Sequence, residues 1–237
     1  MKIGFFGCSF TEGGGFNSPV YVDYAIKNNI IDISELDNKV KIWGNTEREA
    51  YETYGKDYNG PFNSISKKYC YPTMVGKKLN CEVVNFAEGC ASNEYTFKKL
   101  YENYQDFDIC VAQFTLYSRR YQWNEGEEKF EHFNKIDNYT LNHYNEEYTK
   151  DKVSMMIDLF DNLNKKIYWI FHEPIPKSCK SKNVIKFEPS GHLHDFIHLN
   201  KATFRFETNG NYIDDHFSMK GNDLISDKIV ERIKCDM

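Results

Sequence analysis

The chain alternates short apolar runs with longer amphipathic stretches, and this alternation limits the fold more than any other feature of the sequence. Apolar runs of strand length occupy Lys2–Phe6, Glu82–Phe86, Asp108–Phe114 and Lys166–Phe171. The third run is almost uniformly apolar, which is typical of a strand that is buried on both faces. Because helical patterns separate the runs, the sequence predicts a parallel sheet with helices on both sides.

The helical patterns between and after these runs are equally clear. They occupy Tyr71–Leu79, roughly Asn93–Tyr104, Tyr148–Asn164 and Met219–Lys234. Each repeats apolar residues at the three- and four-residue spacing of one helix face. Since crossovers between parallel strands are right-handed, the expected fold is a three-layer α/β/α sandwich with a flavodoxin-like, mostly parallel sheet.

Two long segments interrupt the alternation, at about residues 16–63 and 120–147. Insertions of this length in a compact domain are commonly binding surfaces or lids, so we expect them to set specificity. No internal repeat and no linker composition divides the chain. The sequence therefore predicts one domain over residues 1–237.

Charge and hydropathy exclude several classes of protein. Lys and Arg number 30 against 35 Asp and Glu, a net charge of −5, so no basic excess exists for binding nucleic acid. The longest core-like apolar stretch, Ile167–Phe171, is far too short to span a membrane. The seven cysteines show no metal-binding spacing, and Met1–Gly7 is not a signal peptide pattern. We expect a cytoplasmic protein or a component of a virus particle assembled in a cytoplasm.

Two separated segments carry the residues of a nucleophilic site. Ser9 follows the first predicted strand in a glycine-rich turn, and Asp214, Asp215 and His216 precede the last predicted helix. Ligand crevices in open α/β sheets lie beyond the carboxyl ends of the strands, where Ser9 is expected. A serine, a histidine and a carboxylate together support acyl transfer. Taken singly, Ser9 could equally cap a helix and His216 could be a structural histidine.

Three blocks of the sequence resemble the SGNH/GDSL hydrolase family. Gly7–Gly13, which reads Gly-Cys-Ser-Phe-Thr-Glu-Gly, resembles the nucleophile block, with Cys in place of the usual Asp. Asn85–Asn93 is similar to the second block, and Asp214–Gly221 is similar to the block that carries the catalytic Asp and His. The resemblance implies the fold already expected, a Ser-His-Asp triad and no cofactor.

The last block departs from the family's Asp-x-x-His pattern, because Ile213 stands three residues before His216. In an extended segment, residues two apart share a side, so Asp214 faces the same way as His216 and Asp215 faces away. The predicted triad is therefore Ser9, His216 and Asp214.

The oxyanion hole also departs from the family pattern. The resemblance implies donation by the backbone N–H of Ser9 and by that of Gly89 or Cys90. The Asn of the third block is absent after the third strand, so Thr115 or Gln113 must supply the side-chain donor. Since loss of one such donor costs on the order of a hundredfold in rate, this departure bears directly on activity.

The resemblance implies a serine esterase that hydrolyses a small acyl ester, with O-acetyl expected, on a small molecule or a carbohydrate. Asn93, Arg119 and Trp123 are the expected substrate-binding residues. Two alternatives remain: an O-acyltransferase in polysaccharide modification, and an inactive glycan-binding or virion structural module on the same scaffold. The sequence predicts no oligomeric state.

A second cluster, Gly191–His198, brings three histidines and Asp195 within a few residues. Histidine is a good zinc ligand. No Glu-x-x-His frame accompanies the cluster, however, and a loop with several histidines is more often solvated. The sequence therefore predicts no metal.

Overall fold

The computed structural model of the chain describes residues 1–16, 21, 25–29, 63–117, 120–124, 129–133, 146–210 and 214–237. Its strands are β1 (Lys2–Phe6), β2 (Glu82–Asn85), β3 (Ile109–Phe114), β4 (Arg120–Asn124), β5 (Lys129–Phe133) and β6 (Lys166–Phe171). Its helices are α1 (Ser9–Glu12), α2 (Asn63–Tyr69), α3 (Tyr71–Leu79), α4 (Asn93–Asn103), α5 (Glu146–Asp161), α6 (Leu193–Leu199), α7 (Phe204–Glu207) and α8 (Met219–Cys235).

Local chemistry explains where the main helices begin. Pro72 stands in the first turn of α3, where its missing N–H leaves no hydrogen bond unmade. Ser92 and Ser218 cap α4 and α8, accepting from the backbone N–H of Tyr95 and Gly221. These caps fix the residues at which α4 and α8 begin.

The main sheet has the strand order β2-β1-β3-β6, and each of its three pairings is parallel. This is the flavodoxin-like order, in which a ligand crevice opens where the chain changes direction beside β1. The predicted α/β sandwich is confirmed by this topology.

Alternate residues of the central strands pack on opposite faces of the sheet. One face carries Phe5, Val111 and Ile170 against α3 and α8. The other carries Phe6 and Phe114, among others, against α4 and α5. Burial on both faces explains why these strands read as continuous apolar runs.

The predicted bounds of β1, α3 and β6 agree with the structure, and the other predicted elements differ by one to three residues at their ends. The second insertion contains the antiparallel pair β4–β5, which periodicity did not predict. Most of the predicted insertions 16–63 and 120–147 lie outside the described residues. Within the described part, no helix combines the length and apolar character needed to cross a membrane.

Candidate active site

Ser9 is the first residue of α1, directly beyond the carboxyl end of β1. The sequence predicted a turn here, and the structure forms a four-residue helix instead. The half-buried Ser9 places its Oγ 2.8 Å from Nε2 of His216, which lies 207 positions further along the chain. A hydroxyl at this distance can donate its proton to the imidazole.

The opposite side of the His216 ring is held by Asp214. Nδ1 of the ring lies 2.7 Å from Oδ1 of Asp214, and the backbone N–H of His216 donates to the same oxygen at 2.7 Å. Asp215 points elsewhere and lies 3.9 Å from Nε of Arg205. The structure thus brings Ser9, His216 and Asp214 together, as the alternation of an extended segment predicted.

Residues 202–205, which lead into α7 and form its first turn, fix the backbone that carries His216. The N–H of Phe204 donates to the carbonyl of His216, and the N–H of Arg205 donates to the carbonyl of Asp214. Gly221 lets the start of α8 approach this stretch, because a Cβ there would stand 2.4 Å from the carbonyl oxygen of Ala202. The close approach explains the glycine of the last sequence block.

Phe10, the residue after Ser9, forms an aromatic wall beside the histidine. Its ring lies 4.6 Å from that of His216, 4.2 Å from that of His172 and 5.0 Å from that of Phe217. On the other side of the ring, the missing side chain of Gly14 makes space for the imidazole, because a Cβ there would stand 3.0 Å from Nε2 of His216. The imidazole therefore packs between Phe10 and Gly14 while both of its nitrogens are hydrogen-bonded.

The loop after β2 brings the second sequence block to the site. Cys90 has a φ of 65°, a left-handed conformation that is uncommon for a residue with a side chain. Glu12 faces the neighbouring Gly89, and a Cβ on this glycine would stand 3.3 Å from Oε2 of Glu12. The pKa of the Glu12 carboxyl is raised overall. Loss of hydration on partial burial is the largest cause and the charge of Glu88 the second, and together they outweigh the lowering by the Gly89 N–H, His216 and Lys67.

Thr115 follows β3 at the position where the third sequence block would place its Asn. Its backbone N–H donates to Oδ1 of Asn93 at 2.8 Å, so Asn93 ties the start of α4 to the end of β3. Both residues are buried, and among the described residues neither the Thr115 hydroxyl nor the Asn93 amide nitrogen has a hydrogen-bond partner. Each is therefore an uncommitted donor.

The structure does not bring Gln113 to the oxyanion hole, where the sequence predicted it as one of two alternative side-chain donors. Its side chain is fully buried beneath α1, where Oε1 accepts from the hydroxyl of Thr11 at 2.6 Å and lies 3.1 Å from the hydroxyl of Tyr71. Its amide nitrogen faces Sγ of Cys8 at 4.0 Å. These contacts occupy Gln113 below the nucleophile helix, so it is not a donor in the crevice.

Two of the expected substrate-binding residues fall outside this description. Arg119 lies outside the described residues, and the side chain of Trp123, in β4, is also outside them. Asn93 is described, and its carbonyl oxygen is already committed to Thr115.

The histidine cluster forms contacts around α6. Asp195 lies 3.4 Å from Nε2 of His192 and 3.2 Å from Nδ1 of His194, and the ring of His194 lies tilted against that of His198 with 4.5 Å between centroids. Within the ranges described, no group of three or more His, Cys, Asp and Glu side chains is arranged to hold a metal ion. The histidines of this cluster therefore contact Asp195 and one another.

Sequence reasoning missed three residues around the site: Phe10, Glu12 and His172. His172 directly follows β6, so the rule that ligands lie beyond strand ends could have found it. Phe10 and Glu12 lie within the nucleophile block, but their contacts with His216 and Gly89 depend on parts of the chain that are distant in sequence.

Solved structures of three proteins are similar to this chain. A protein described as lipolytic, of the G-D-S-L family from Desulfitobacterium hafniense, is 10% identical with a TM-score of 0.43, and the match covers 98% of each chain. An acetyl xylan esterase is 12% identical with a TM-score of 0.45, covering 98% of this chain and 100% of that one. An acetyl xylan esterase from the rumen bacterium Butyrivibrio proteoclasticus is 11% identical with a TM-score of 0.48, covering 99% of this chain and 64% of that one.

No family model and no curated protein matches the sequence. The chemistry of this chain must therefore be derived from its own residues.

Proposed function

We propose that this chain is a serine esterase of the SGNH type, with Ser9 as nucleophile, His216 as general base and Asp214 as the residue that orients the histidine. The observation that carries the proposal is the continuous chain of contacts from Ser9 Oγ to His216 Nε2 at 2.8 Å and from His216 Nδ1 to Asp214 Oδ1 at 2.7 Å. This arrangement can remove a proton from a serine hydroxyl at neutral pH.

The reaction proceeds in two steps. Ser9 Oγ attacks the ester carbonyl while Nε2 of His216 takes the hydroxyl proton, and the same proton then passes to the leaving alcohol. A water molecule next gives a proton to His216 and attacks the acyl-enzyme carbonyl. As the bond from the acyl group to Ser9 Oγ breaks, His216 returns that proton to Oγ, so the acid leaves and the Ser9 hydroxyl is restored. Asp214 keeps Nδ1 protonated throughout, so Nε2 remains the proton acceptor.

The negative charge that develops on the carbonyl oxygen during attack requires hydrogen-bond donors around that oxygen. The backbone N–H of Ser9, at the start of α1, and that of Cys90 are the proposed donors. The hydroxyl of Thr115 completes the hole, supported by its lack of a partner among the described residues. Gln113 takes no part, because its side chain is committed beneath α1.

The proposed substrate is a small acyl ester, with O-acetyl on a carbohydrate as the first class to test. The resemblance of the three sequence blocks to SGNH hydrolases supports the acyl ester. The aromatic residues of the two insertions, at about 16–63 and 120–147, support a sugar acceptor, because Tyr and Trp offer an apolar ring together with a polar group.

Release of acetate from 4-nitrophenyl acetate and from acetylated xylo-oligosaccharides tests this function. Ser9-dependent turnover supports the proposal, and we expect Ser9→Ala to lower the rate on the order of a thousandfold or more. If folded wild-type protein releases no more acetate than Ser9→Ala, the esterase proposal is wrong. Acetyl transfer to an added sugar in place of acetate release would identify the acyltransferase alternative.

A further inference from the structure

We infer that Tyr71 is a positioning residue that fixes the distance between Ser9 and His216, an inference that rests on the proposed function. Tyr71 is the first residue of α3, and its hydrogen bonds go to Thr11, Gln113 and Asn222 and to neither residue of this pair. It is fully buried and contacts both of the segments that carry them, one through its side chain and one through its backbone.

The side chain of Tyr71 holds the helix that carries the nucleophile. Its hydroxyl lies 2.9 Å from Oγ1 of Thr11, two residues after Ser9, and 3.1 Å from Oε1 of Gln113. Oγ1 of Thr11 in turn donates to the same Gln113 oxygen at 2.6 Å. If Tyr71 donates to Thr11 and Thr11 to Gln113, both hydroxyl protons are bonded, so α1 is anchored to α3 and β3.

The backbone of Tyr71 holds the segment that carries the histidine. Its N–H donates to Oδ1 of Asn222 at 2.8 Å. The amide nitrogen of Asn222 donates to the carbonyls of Phe217 at 2.8 Å and Ser218 at 3.0 Å. Phe217 directly follows His216, so this path ends one residue from the general base.

The hydrogen bonds that run from Thr11 through Tyr71 to Asn222 are buried and held in place by packing. The side chains of Thr11, Tyr71, Gln113 and Asn222 are at most 1% exposed, so no water competes for these hydrogen bonds. Burial raises the pKa of the Tyr71 hydroxyl well above its ordinary value, which keeps it protonated and able to donate. The ring also packs edge-on against Phe5 of β1 with 5.9 Å between centroids.

This rigidity matters because a serine–histidine pair works only at hydrogen-bond distance. A misplacement of about 1 Å can cost on the order of a hundredfold in rate. Ser9 and His216 lie 207 positions apart, and Tyr71 is one residue through which their segments are joined. Loss of its hydroxyl removes the direct link from α1 to α3, while the contacts of Thr11 with Gln113 and of the Tyr71 backbone with Asn222 stay in place.

Tyr71→Phe tests the inference, with Tyr168→Phe as the matched control. The side chain of Tyr168 is equally buried, and its hydroxyl donates to Oδ2 of Asp236 at 2.9 Å, near the start of β6 and away from the crevice. With 4-nitrophenyl acetate we expect Tyr71→Phe to lower kcat about tenfold with little change in KM, because chemistry and not binding depends on the pair. Tyr168→Phe is expected to leave kcat unchanged.

A second readout needs no turnover. The NMR chemical shift of His216 Nε2, measured in the absence of substrate, reports the hydrogen bond of this nitrogen with the Ser9 hydroxyl. It is expected to change in Tyr71→Phe and to stay as in the wild type in Tyr168→Phe, and an unchanged signal in a folded Tyr71→Phe protein overturns the inference. Wild-type protein without Ser9-dependent turnover instead overturns the proposed function, and the Nε2 signal still decides the role of Tyr71.

A double-variant cycle tests whether Tyr71 and Thr11 form one path. Thr11→Val removes the hydroxyl at nearly constant volume. If both hydroxyls act through the same contact, the double variant Thr11→Val, Tyr71→Phe is expected to be no more than about twofold slower than the slower single variant. Rate losses that simply multiply would contradict a single path.

Discussion

Oδ1 of Asp214 lies 2.7 Å from Nδ1 of His216 and 2.7 Å from the backbone nitrogen of the same residue. One carboxylate oxygen therefore holds both the ring and the main chain of the histidine. Because Nδ1 donates to Asp214, Nε2 is left as an acceptor that faces the Ser9 hydroxyl.

Asp214→Asn should lower kcat on the order of a thousandfold, because an amide nitrogen can favour the wrong imidazole tautomer. Asp215→Asn is the matched control, since Asp215 contacts Arg205 at 3.9 Å and not the histidine. Steady-state hydrolysis of 4-nitrophenyl acetate measures both. Equal activity of the two variants would contradict the assignment of Asp214.

Cys90 adopts a left-handed backbone conformation with φ at 65°. A β-branched side chain is strained there, so Cys90→Val should lower the free energy of unfolding by about 1–2 kcal/mol. Cys90→Gly removes the strain and keeps the N–H, so it should stay within about 1 kcal/mol of the wild type and retain activity. Urea unfolding and ester hydrolysis check both; a Gly variant that is folded but inactive would show that the thiol itself is needed.

Thr115 should supply the side-chain donor of the oxyanion hole. Thr115→Val removes the hydroxyl at similar volume, and we expect kcat to fall on the order of a hundredfold. Thr115→Ser keeps the hydroxyl and should recover most of the rate. If the Val variant is as active as the wild type, the uncommitted amide of Asn93 becomes the donor to test, by Asn93→Asp.

The raised pKa of Glu12, caused by burial first and then by Glu88, predicts that the stability of the folded protein falls as pH rises. The folded protein binds the Glu12 proton more tightly than the unfolded chain, so this group lowers stability as pH rises from its ordinary pKa of 4.5 through the raised value. Glu12→Gln should therefore be more stable than the wild type at pH 7, with the difference vanishing towards pH 4. Urea unfolding across this range measures it, with the exposed Glu147→Gln as control. A difference that is constant with pH would contradict the assignment.

Much of the fold could be predicted because hydrophobic periodicity is local. The apolar run Lys166–Phe171 and the amphipathic run Tyr71–Leu79 have the same bounds in the sequence prediction and in the structure. Alternation along an extended segment likewise separated Asp214 from Asp215. Both results need only neighbouring residues.

Contacts between distant segments were beyond the sequence. Gln113 was expected in the crevice because it ends an apolar strand, and the alternation along β3 gives the reason for its burial. It shares a face with Val111, which packs on the α3 side where Tyr71 lies. The path from Tyr71 to Asn222 joins residues 151 positions apart, a pairing that no local pattern encodes.

The central claim is that Ser9 is an activated nucleophile. Incubation with a fluorophosphonate probe, followed by mass mapping of the adduct, tests it most directly, with Ser9→Ala and His216→Ala as controls. The account predicts one adduct at Ser9 in the wild type and none in either variant. Folded wild-type protein that remains unlabelled, or that is labelled equally in His216→Ala, would contradict it.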